Sequence, residues 1–193
     1  MLRSIFRLPS INSTVFRFAG VRSASSDSHA FEKLTLKKKD GEVGSADLQN
    51  KAVLVFFSAG WCPSCKEFTP YLKEFYENTK NEGLQVVWVS RDRSEEDQID
   101  YYEKNLPDWP YLPYGSKELR LVYEIAYDQP IYLEIFSTFT RFKLFRQAVK
   151  LVKSDGEVAD DGARVKIEKN YKDSEAAKKI VAEWRKKVGL DGN

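Results

Sequence analysis

The sequence predicts an α/β protein in which a buried strand, a helix and a second buried strand follow one another. Ala52–Phe57 (AVLVFF) is an apolar run that is long enough for a buried strand and too short for a buried helix. From Cys62 to about Asn81, apolar residues recur every three or four positions, which is typical of a helix with one apolar face. Leu84–Ser90 (LQVVWVS) is a second apolar run. This order predicts two parallel strands joined by a right-handed crossover.

Shorter elements are predicted before this unit. Phe31–Lys38 (FEKLTLKK) alternates apolar and polar side chains, as a half-buried strand does. A turn at Lys39-Asp40-Gly41 leads to a short returning strand at Glu42-Val43, and Ser45 can cap one helical turn ending at Leu48. These elements lead into the first buried strand.

The rest of the chain predicts helices, a proline-rich loop and a hairpin. In order, we expect a helix at Ser94–Asn105, an extended loop with Pro107, Pro110 and Pro113, a short helix from Ser116 with Leu119, Val122 and Tyr123 facing inward, a hairpin from Ala148–Lys153 to Glu157-Val158, a continuation of that strand at Arg164–Glu168, and a closing amphipathic helix at Ser174–Val188.

The only two cysteines of the chain, Cys62 and Cys65, lie at the start of the first long helix in the motif WCPSC. Unpaired amides and the positive end of the helix dipole are concentrated in that first turn. A thiolate is stabilised there, so we expect Cys62 to have a lowered pKa and to be nucleophilic near neutral pH. Cys65 is one turn further along and close enough to form a disulfide with Cys62.

Two cysteines three residues apart fit either half of a metal site or a redox pair. Tetrahedral zinc needs four ligands, and the only histidine, His29, lies in the polar N-terminal stretch. An extracellular disulfide framework normally uses more cysteines at wider spacing. The tryptophan before the pair, the proline within it and the helix start favour redox chemistry over two buried structural thiols. The sequence therefore predicts a redox pair and no metal site.

The longer phrase FFSAGWCPSCKEFTPYLKEFY resembles the thioredoxin superfamily, in particular its tryparedoxin and nucleoredoxin branch. Trp61 precedes the first cysteine, and Pro70, in an FTP segment, follows the second by five residues. The resemblance extends from about Leu34 to Val188. It implies a thioredoxin fold over residues 31–190, which is a central mixed β-sheet with helices on both faces.

The resemblance also implies a role for each residue of the motif. Cys62 attacks a substrate disulfide, and Cys65 resolves the mixed disulfide that results. Pro63 and Ser64 tune the reduction potential from between the cysteines, and Trp61 is expected to form a lid beside the disulfide. Reducing power arrives through the cysteines themselves, so no cofactor is expected.

Three positions near the motif qualify this expectation. Phe56 stands where thioredoxins keep a buried aspartate, six residues before Cys62, so water or another group must take the proton of the second thiol. Glu67 is near in sequence, but we expect it on the solvated helix surface. Pro70 lies inside the helix and should bend it.

Trp109 and Tyr111, in the proline-rich loop, are expected to anchor that loop rather than to line a substrate site.

Thioredoxin-like folds present a cis-proline to the disulfide, and its neighbouring backbone holds the substrate. The candidate here is Gln129–Pro130, shortly after Tyr123-Glu124-Ile125. The distance from Pro130 to the next predicted strand exceeds what the family allows. Residues 127–147 therefore form an atypical, aromatic and β-prone insertion.

Two explanations of this insertion compete. It could be a real extra hairpin, with Ile131–Ser137 pairing with Phe142–Val149 through Thr138–Arg141. It could also be foreign sequence, such as a translated intron, that displaces the true cis-proline. In the second case the cysteine pair is intact but its substrate-holding wall is damaged.

The first 26 residues have the composition of a mitochondrial transit peptide. They contain four arginines, no acidic residue and many serines and threonines. Cleavage is expected near Arg22–Ser26, and the alternative is a disordered basic tail on a cytosolic or nuclear protein.

Without the four arginines of residues 1–26 the chain has 27 basic residues against 29 acidic ones, so no basic surface for nucleic acid is predicted. No apolar run is long enough for a transmembrane helix.

The sequence thus leaves three functions open. The first is a thiol–disulfide oxidoreductase, expected to be a monomer, that reduces protein disulfides with electrons from an upstream reductase or a small thiol. The second is a module that binds signalling partners in a redox-dependent way with little turnover. The third is a paralogue whose 127–147 insertion abolishes turnover.

Overall fold

The computed structural model describes residues 31, 34–43, 45–119, 122 and 148–190. Within them, seven strands form one sheet, and four α-helices pack on it. The strands are Leu36–Lys38 (β1), Gly41–Val43 (β2), Ala52–Ser58 (β3), Leu84–Ser90 (β4), Tyr111–Leu112 (β5), Ala148–Val152 (β6) and Val158–Asp160 (β7). The α-helices are Pro63–Thr79 (α1), Glu95–Asn105 (α2), Ala163–Asn170 (α3) and Ser174–Lys187 (α4), and 3-10 turns lie at Ser45–Leu48 and Lys80–Glu82.

The sheet is mixed, with strand order β2-β1-β5-β4-β3-β6-β7. β3 and β4 are parallel along their whole length, from Ala52 opposite Leu84 to Ser58 opposite Ser90. β6 runs antiparallel to β3 and begins at Ala148, opposite Phe57. The predicted parallel unit and the mixed sheet implied by the family resemblance are both confirmed.

The two faces of the sheet carry two separate apolar cores. Alternate side chains of β3 and β4, such as Phe56 and Trp88, pack against the four α-helices on one face. Their neighbours Phe57 and Val89 point to the other face. The second face is covered by Phe31, Leu34, Leu48, Leu119 and Val122, of which the last two are helical residues. Helices therefore lie on both faces, as the resemblance implies.

Three sequence-based expectations about single elements need correction. The strand expected at Phe31–Lys38 is limited to its last three residues, and Phe31 is buried in a helical turn. The loop expected around the three prolines contains β5, which pairs with both β1 and β4. β5 is only two residues long, so its pairing partners rather than its own sequence define it as a strand.

Arg164–Glu168 was expected to continue a strand, and this prediction is wrong because the segment lies in α3. Ala163 and Ile167 are spaced by four residues and are both fully buried, which matches a helix period. Nε of Arg164 donates to Oε1 of Glu168 at 2.6 Å across one helical turn. The i, i+4 pairs outweigh the alternating pattern that suggested a strand.

Asp160, at the end of β7, ties the last strand to both C-terminal helices. Its Oδ2 accepts hydrogen bonds from Nζ of Lys166 in α3 at 2.5 Å and from Nε1 of Trp184 in α4 at 3.0 Å. Its Oδ1 accepts from the backbone amide of Gly162 at 2.9 Å. Burial alone would raise the pKa of Asp160, but these hydrogen bonds together lower it to about 2.

The transit-peptide prediction for residues 1–26 and the whole of the predicted 127–147 insertion lie outside the described residues, and of the predicted hairpin only Ala148 and Val149 are described, both in β6. Of the helices that the structure describes, none is both long and apolar enough to cross a membrane.

Candidate active site

The disulfide site lies where β3 ends and α1 begins. Pro63 is the first residue of α1, and Cys62 is its N-cap residue. Proline suits this position because its missing N–H would have no intrahelical partner there. Cys62 and Cys65 form a disulfide, with their Cα atoms 5.3 Å apart.

The N-terminus of α1 directs a backbone amide at the sulfur of Cys62. The backbone amide of Cys65 lies 3.3 Å from Sγ of Cys62 and donates to it. The hydroxyl of Ser64 lies 3.5 Å from the same sulfur. Cys62 is 7% exposed and Cys65 only 2%, so an incoming molecule reaches Cys62 first. This arrangement favours negative charge on Cys62 and suits it to the attacking role.

The two cysteines lie apart from the main cores. Together with Ala59 they form a small apolar cluster that is separate from the cores on the two faces of the sheet. The buried apolar contacts of the cysteines are therefore local, within the β3–α1 loop and the first turn of α1.

Trp61 lies at the surface of the same loop and is 41% exposed. Its Nε1 donates to the carbonyl oxygen of Arg91, at 3.0 Å, in the loop after β4. The guanidinium carbon of Arg93 lies 5.8 Å from the centre of the indole ring. The indole is thus attached to the neighbouring loop, and its role as a lid over the disulfide stays a prediction.

Pro70 lies inside α1, as predicted, and the residue before it connects α1 to α2. Because proline has no N–H, the normal helix bond to the carbonyl of Lys66 is missing. The hydroxyl of Thr69 donates to the carbonyl oxygen of Cys65 at 2.8 Å and lies 3.1 Å from the hydroxyl of Tyr101 in α2. The carbonyl of the second cysteine is thereby linked to α2.

The position where thioredoxins keep an aspartate is fully apolar in this protein. Phe56 is buried, and its ring centre lies 6.0 Å from that of Phe68 and 6.2 Å from that of Trp109. Glu67 is exposed, as expected. Trp109 and Tyr111 are buried in the helix-side core, which fits loop anchors and not a substrate rim.

Asp92 is the residue of this site that sequence reasoning missed. Its Oδ1 accepts from the backbone amide of Gly60 at 2.8 Å, and its Oδ2 accepts from the hydroxyl of Ser90 at 2.7 Å. Burial raises the pKa of Asp92 above its usual value, although both hydrogen bonds oppose that rise. The sequence holds one signal for it, because the carboxyl ends of parallel strands meet at one edge of a sheet and Asp92 lies two residues after the end of β4.

The predicted cis-proline pair Gln129–Pro130 lies outside the described residues, so it stays a prediction. The described start of β6, at Ala148, pairs with Phe57 near the end of β3 that leads to Cys62. The chain therefore enters β6 at the same end of the sheet as the disulfide. Among the described residues, no group of three or more His, Cys, Asp or Glu side chains is placed to hold a metal ion.

Comparison with known proteins agrees with this geometry. A family model described as thioredoxin-like matches residues 50–127. Over 85 residues the chain is 46% identical to tryparedoxin from Trypanosoma brucei brucei, covering 42% of this chain and 56% of that protein. Over 81 residues it is 44% identical to probable nucleoredoxin 1 from Arabidopsis thaliana, covering 40% of this chain and 14% of that protein. The chain thus spans between about a seventh and just over half of these relatives.

Solved structures are similar over more of the chain. The crystal structure of thioredoxin from Wuchereria bancrofti is 31% identical, with a TM-score of 0.57, and the match covers 80% of this chain and 99% of that one. Tryparedoxin from Trypanosoma brucei is 29% identical, with a TM-score of 0.55, and the match covers 72% and 87%.

A mixed sheet whose central parallel strand ends at a disulfide on a helix N-terminus defines the thioredoxin-fold class. The chain belongs to the thioredoxin-like family. Within that family its sequence is most like the tryparedoxins and nucleoredoxins that the comparison found.

Proposed function

We propose that this protein is a thiol–disulfide oxidoreductase that reduces disulfides in other proteins. The observation that carries the proposal is the Cys62–Cys65 disulfide at the start of α1, where the amide of Cys65 donates to Sγ of Cys62. A sulfur in that position is stabilised as a thiolate when the disulfide is reduced.

The reaction follows from the different exposure of the two cysteines. In the reduced protein, the Cys62 thiolate attacks one sulfur of a substrate disulfide, forms a mixed disulfide and releases the other substrate sulfur as a thiolate. The Cys65 thiolate then attacks Sγ of Cys62, which re-forms the Cys62–Cys65 disulfide and releases the second substrate thiolate. Two electrons pass to the substrate, and an upstream thiol or reductase must return them.

The surface beside the disulfide supports protein substrates. Trp61 and Tyr114 are both large, exposed and attached to the same loop, since the hydroxyl of Tyr114 donates to the carbonyl oxygen of Arg93 at 2.7 Å. Exposed aromatic side chains held by hydrogen bonds give contact area at low entropic cost. They provide a surface on which a partner polypeptide can rest next to Cys62.

Insulin reduction tests the activity. The full chain, reduced by dithiothreitol, is expected to accelerate the reduction and precipitation of insulin, and Cys62→Ser is expected to abolish that acceleration. Cys65→Ser should accumulate mixed disulfides with insulin, because the resolving thiol is absent. Asp161→Asn, which keeps both cysteines and changes an 81% exposed side chain after β7, serves as the control. Full activity of Cys62→Ser would exclude the mechanism.

The redox-dependent binding module remains the second candidate, because the chain also resembles nucleoredoxins and presents exposed aromatics beside the disulfide. It predicts mixed-disulfide partners trapped by Cys65→Ser together with no insulin turnover by the wild type. The third candidate, a paralogue damaged by residues 127–147, is tested by sequencing transcripts across that region.

The electron donor is proposed to be a small thiol or a thioredoxin reductase. One similar solved structure is tryparedoxin II complexed with glutathionylspermidine, 26% identical to this chain. Reduction of the Cys62–Cys65 disulfide by glutathione, by a trypanothione-like dithiol and by thioredoxin reductase with NADPH should be compared, and the fastest donor is the candidate. Size-exclusion chromatography with light scattering tests the expected monomer.

We propose the mitochondrial matrix as the location, on the composition of residues 1–26. The supporting result is a protein in isolated, protease-treated mitochondria whose N-terminus begins near Arg22–Ser26. A full-length protein in the cytosol or nucleus contradicts the proposal.

A further inference from the structure

Asp92 is the carboxylate that holds the loop carrying the disulfide. It accepts from the amide of Gly60, two residues before Cys62, at 2.8 Å. Its other oxygen accepts from the hydroxyl of Ser90 at 2.7 Å, and that hydroxyl oxygen accepts from the amide of Asp92 at 2.9 Å. Both carboxylate oxygens are therefore fixed, and the carboxylate has one orientation relative to the end of β4.

The same loop is also held from the opposite side. A methyl group added to Gly60 would lie 3.2 Å from Cδ2 of Tyr101, so a larger residue there would require the ring of Tyr101 to shift by a few tenths of an ångström. The hydroxyl of Tyr101 lies against Thr69, whose own hydroxyl donates to the carbonyl oxygen of Cys65. Gly60 thus lies between Asp92 and Tyr101, and Tyr101 is connected to Cys65 through the hydroxyl of Thr69.

Two further bonds join the ends of the parallel strands. The amide of Arg91 donates to the carbonyl oxygen of Ser58 at 2.9 Å, and the indole of Trp61 donates to the carbonyl oxygen of Arg91. The amide of Cys62 donates to the carbonyl oxygen of Ala59 at 3.1 Å and closes a turn. Gly60 and Trp61 are the two central residues of that turn. The backbone amide of Gly60 donates to the carboxylate of Asp92.

We propose that Asp92 is a positioning residue of the disulfide site, which fixes the turn from Ala59 to Cys62 and so the direction in which Sγ of Cys62 meets a substrate sulfur. This inference rests on the proposed function. Thiol–disulfide exchange requires the attacking, central and leaving sulfurs to align, so an unanchored turn lowers the rate even when the thiolate is present.

The hydrogen bond, and not the charge, is the useful part of Asp92. The charged and titratable groups around it are Lys66 of α1, Asp97 and Tyr101 of α2, and its neighbours Arg91 and Arg93. The carboxylate of Asp92 is bonded to Gly60, two residues before Cys62, and its negative charge opposes a thiolate on Cys62, so the charge alone would disfavour the reactive form. Asparagine keeps an oxygen for the amide of Gly60 and removes the charge, which separates the two effects.

The test is a single attack by Cys62 that needs no turnover. In the Cys65→Ser background of the full chain, the rate of reaction with 5,5′-dithiobis(2-nitrobenzoate) is measured from about pH 5 to about pH 9. The midpoint of the curve gives the apparent pKa of the Cys62 thiol, and the plateau at high pH gives the intrinsic rate of the thiolate. A loss of folding stability alone reduces the fraction of folded molecules but changes neither the apparent pKa nor the intrinsic rate of those that remain folded.

We expect Asp92→Ala to lower the plateau about tenfold and Asp92→Asn to keep it within about twofold of the wild type. Both variants should move the midpoint in the same direction, to lower pH, because both remove the charge. Ser90→Ala, which frees one carboxylate oxygen, should lower the plateau severalfold. Asp97→Asn removes a nearby exposed charge with no bond to the loop and should keep the plateau unchanged.

An unchanged plateau in Asp92→Ala overturns the inference, and so does an equal loss in Asp92→Asn, which would assign the effect to charge. If Asp92→Ala does not fold, Ser90→Ala decides, and a wild-type plateau there overturns the inference. Failure of the wild type to reduce insulin rejects the proposed function alone, because the single-attack rates do not depend on turnover.

Discussion

Phe56 shows how one residue separates this protein from thioredoxins that keep a buried aspartate at the same position. Its side chain is completely buried between aromatic rings of α1 and of the loop before β5. A carboxylate at that place would be shielded from water and packed against aromatic rings, so its charged form would be strongly disfavoured. The proton of the Cys65 thiol must therefore leave by another route.

We predict that restoring the aspartate unfolds the protein instead of improving it. Phe56→Asp should lower the free energy of unfolding by more than about 3 kcal/mol, because it removes a buried ring and buries an unpaired carboxyl. Urea denaturation followed by circular dichroism measures this. Phe56→Leu is the control, with an expected loss of about 1 kcal/mol. A stable Phe56→Asp protein with faster insulin reduction would contradict the prediction.

Some residues of the site could be predicted from the sequence, and others could not. The positions of Cys62, Cys65 and Pro63 follow from the motif and the start of the helix, and the structure places all three there. Asp92 could be placed near the site only by combining the predicted parallel pairing of β3 and β4 with its position two residues after β4. Its contact with Gly60 spans 32 residues and depends on the register of two parallel strands, which no local pattern specifies.

At the scale of elements, the C-terminal part of the fold depends on one carboxylate. Asp160 joins β7, α3 and α4, and its side chain is only 8% exposed. Because the pKa of Asp160 is about 2 in the folded protein against an ordinary 3.8, the folded state binds this proton more weakly than the unfolded chain does. Its stabilisation is therefore complete above the ordinary value and is lost as the pH falls toward 2.

We predict that Asp160→Asn lowers the free energy of unfolding by about 2 kcal/mol at neutral pH. The difference from the wild type should shrink between about pH 4 and about pH 2, where the wild-type carboxyl also becomes neutral. Urea denaturation at a series of pH values measures it. The matched control is Asp161→Asn, at an 81% exposed side chain, with an effect near zero. A difference that is constant with pH would contradict this assignment.

Long, periodic elements were predictable from the sequence, and short ones were not. The end of α2 at Asn105 and both ends of β4 agree with the sequence-based prediction. β5 was missed because two residues between prolines carry no strand period, and only pairing with β1 and β4 makes them a strand. The strand predicted at Arg164–Glu168 failed because a five-residue window fits either period.

At the scale of the whole molecule, the described fold begins at Phe31. Its side chain is 1% exposed and belongs to the core on the face opposite the four α-helices. The composition of residues 1–26 predicts a transit peptide that is removed. The folded unit is therefore expected to be independent of these residues.

We predict that deletion of residues 1–26 leaves the melting temperature and the insulin-reduction rate unchanged. Phe31→Ala in the full chain should instead lose about 3 kcal/mol of unfolding free energy, because it empties a site in the second core. Differential scanning calorimetry and urea denaturation measure the two effects. A large loss of stability on deletion would show that the N-terminal segment packs on the domain.

The separation of the cysteine cluster from the two main cores has a consequence for the energetics of electron transfer. Folding stability and reduction potential are linked through a thermodynamic cycle, so a disulfide that stabilises the fold by a given amount becomes harder to reduce by that same amount. Since Cys62, Cys65 and Ala59 form their own cluster, substitutions in the loop and first helical turn can alter the disulfide without changing either main core. A substitution there that shifts the reduction potential by about 30 mV must also change the difference in folding stability between the oxidised and the reduced protein by about 1.4 kcal/mol.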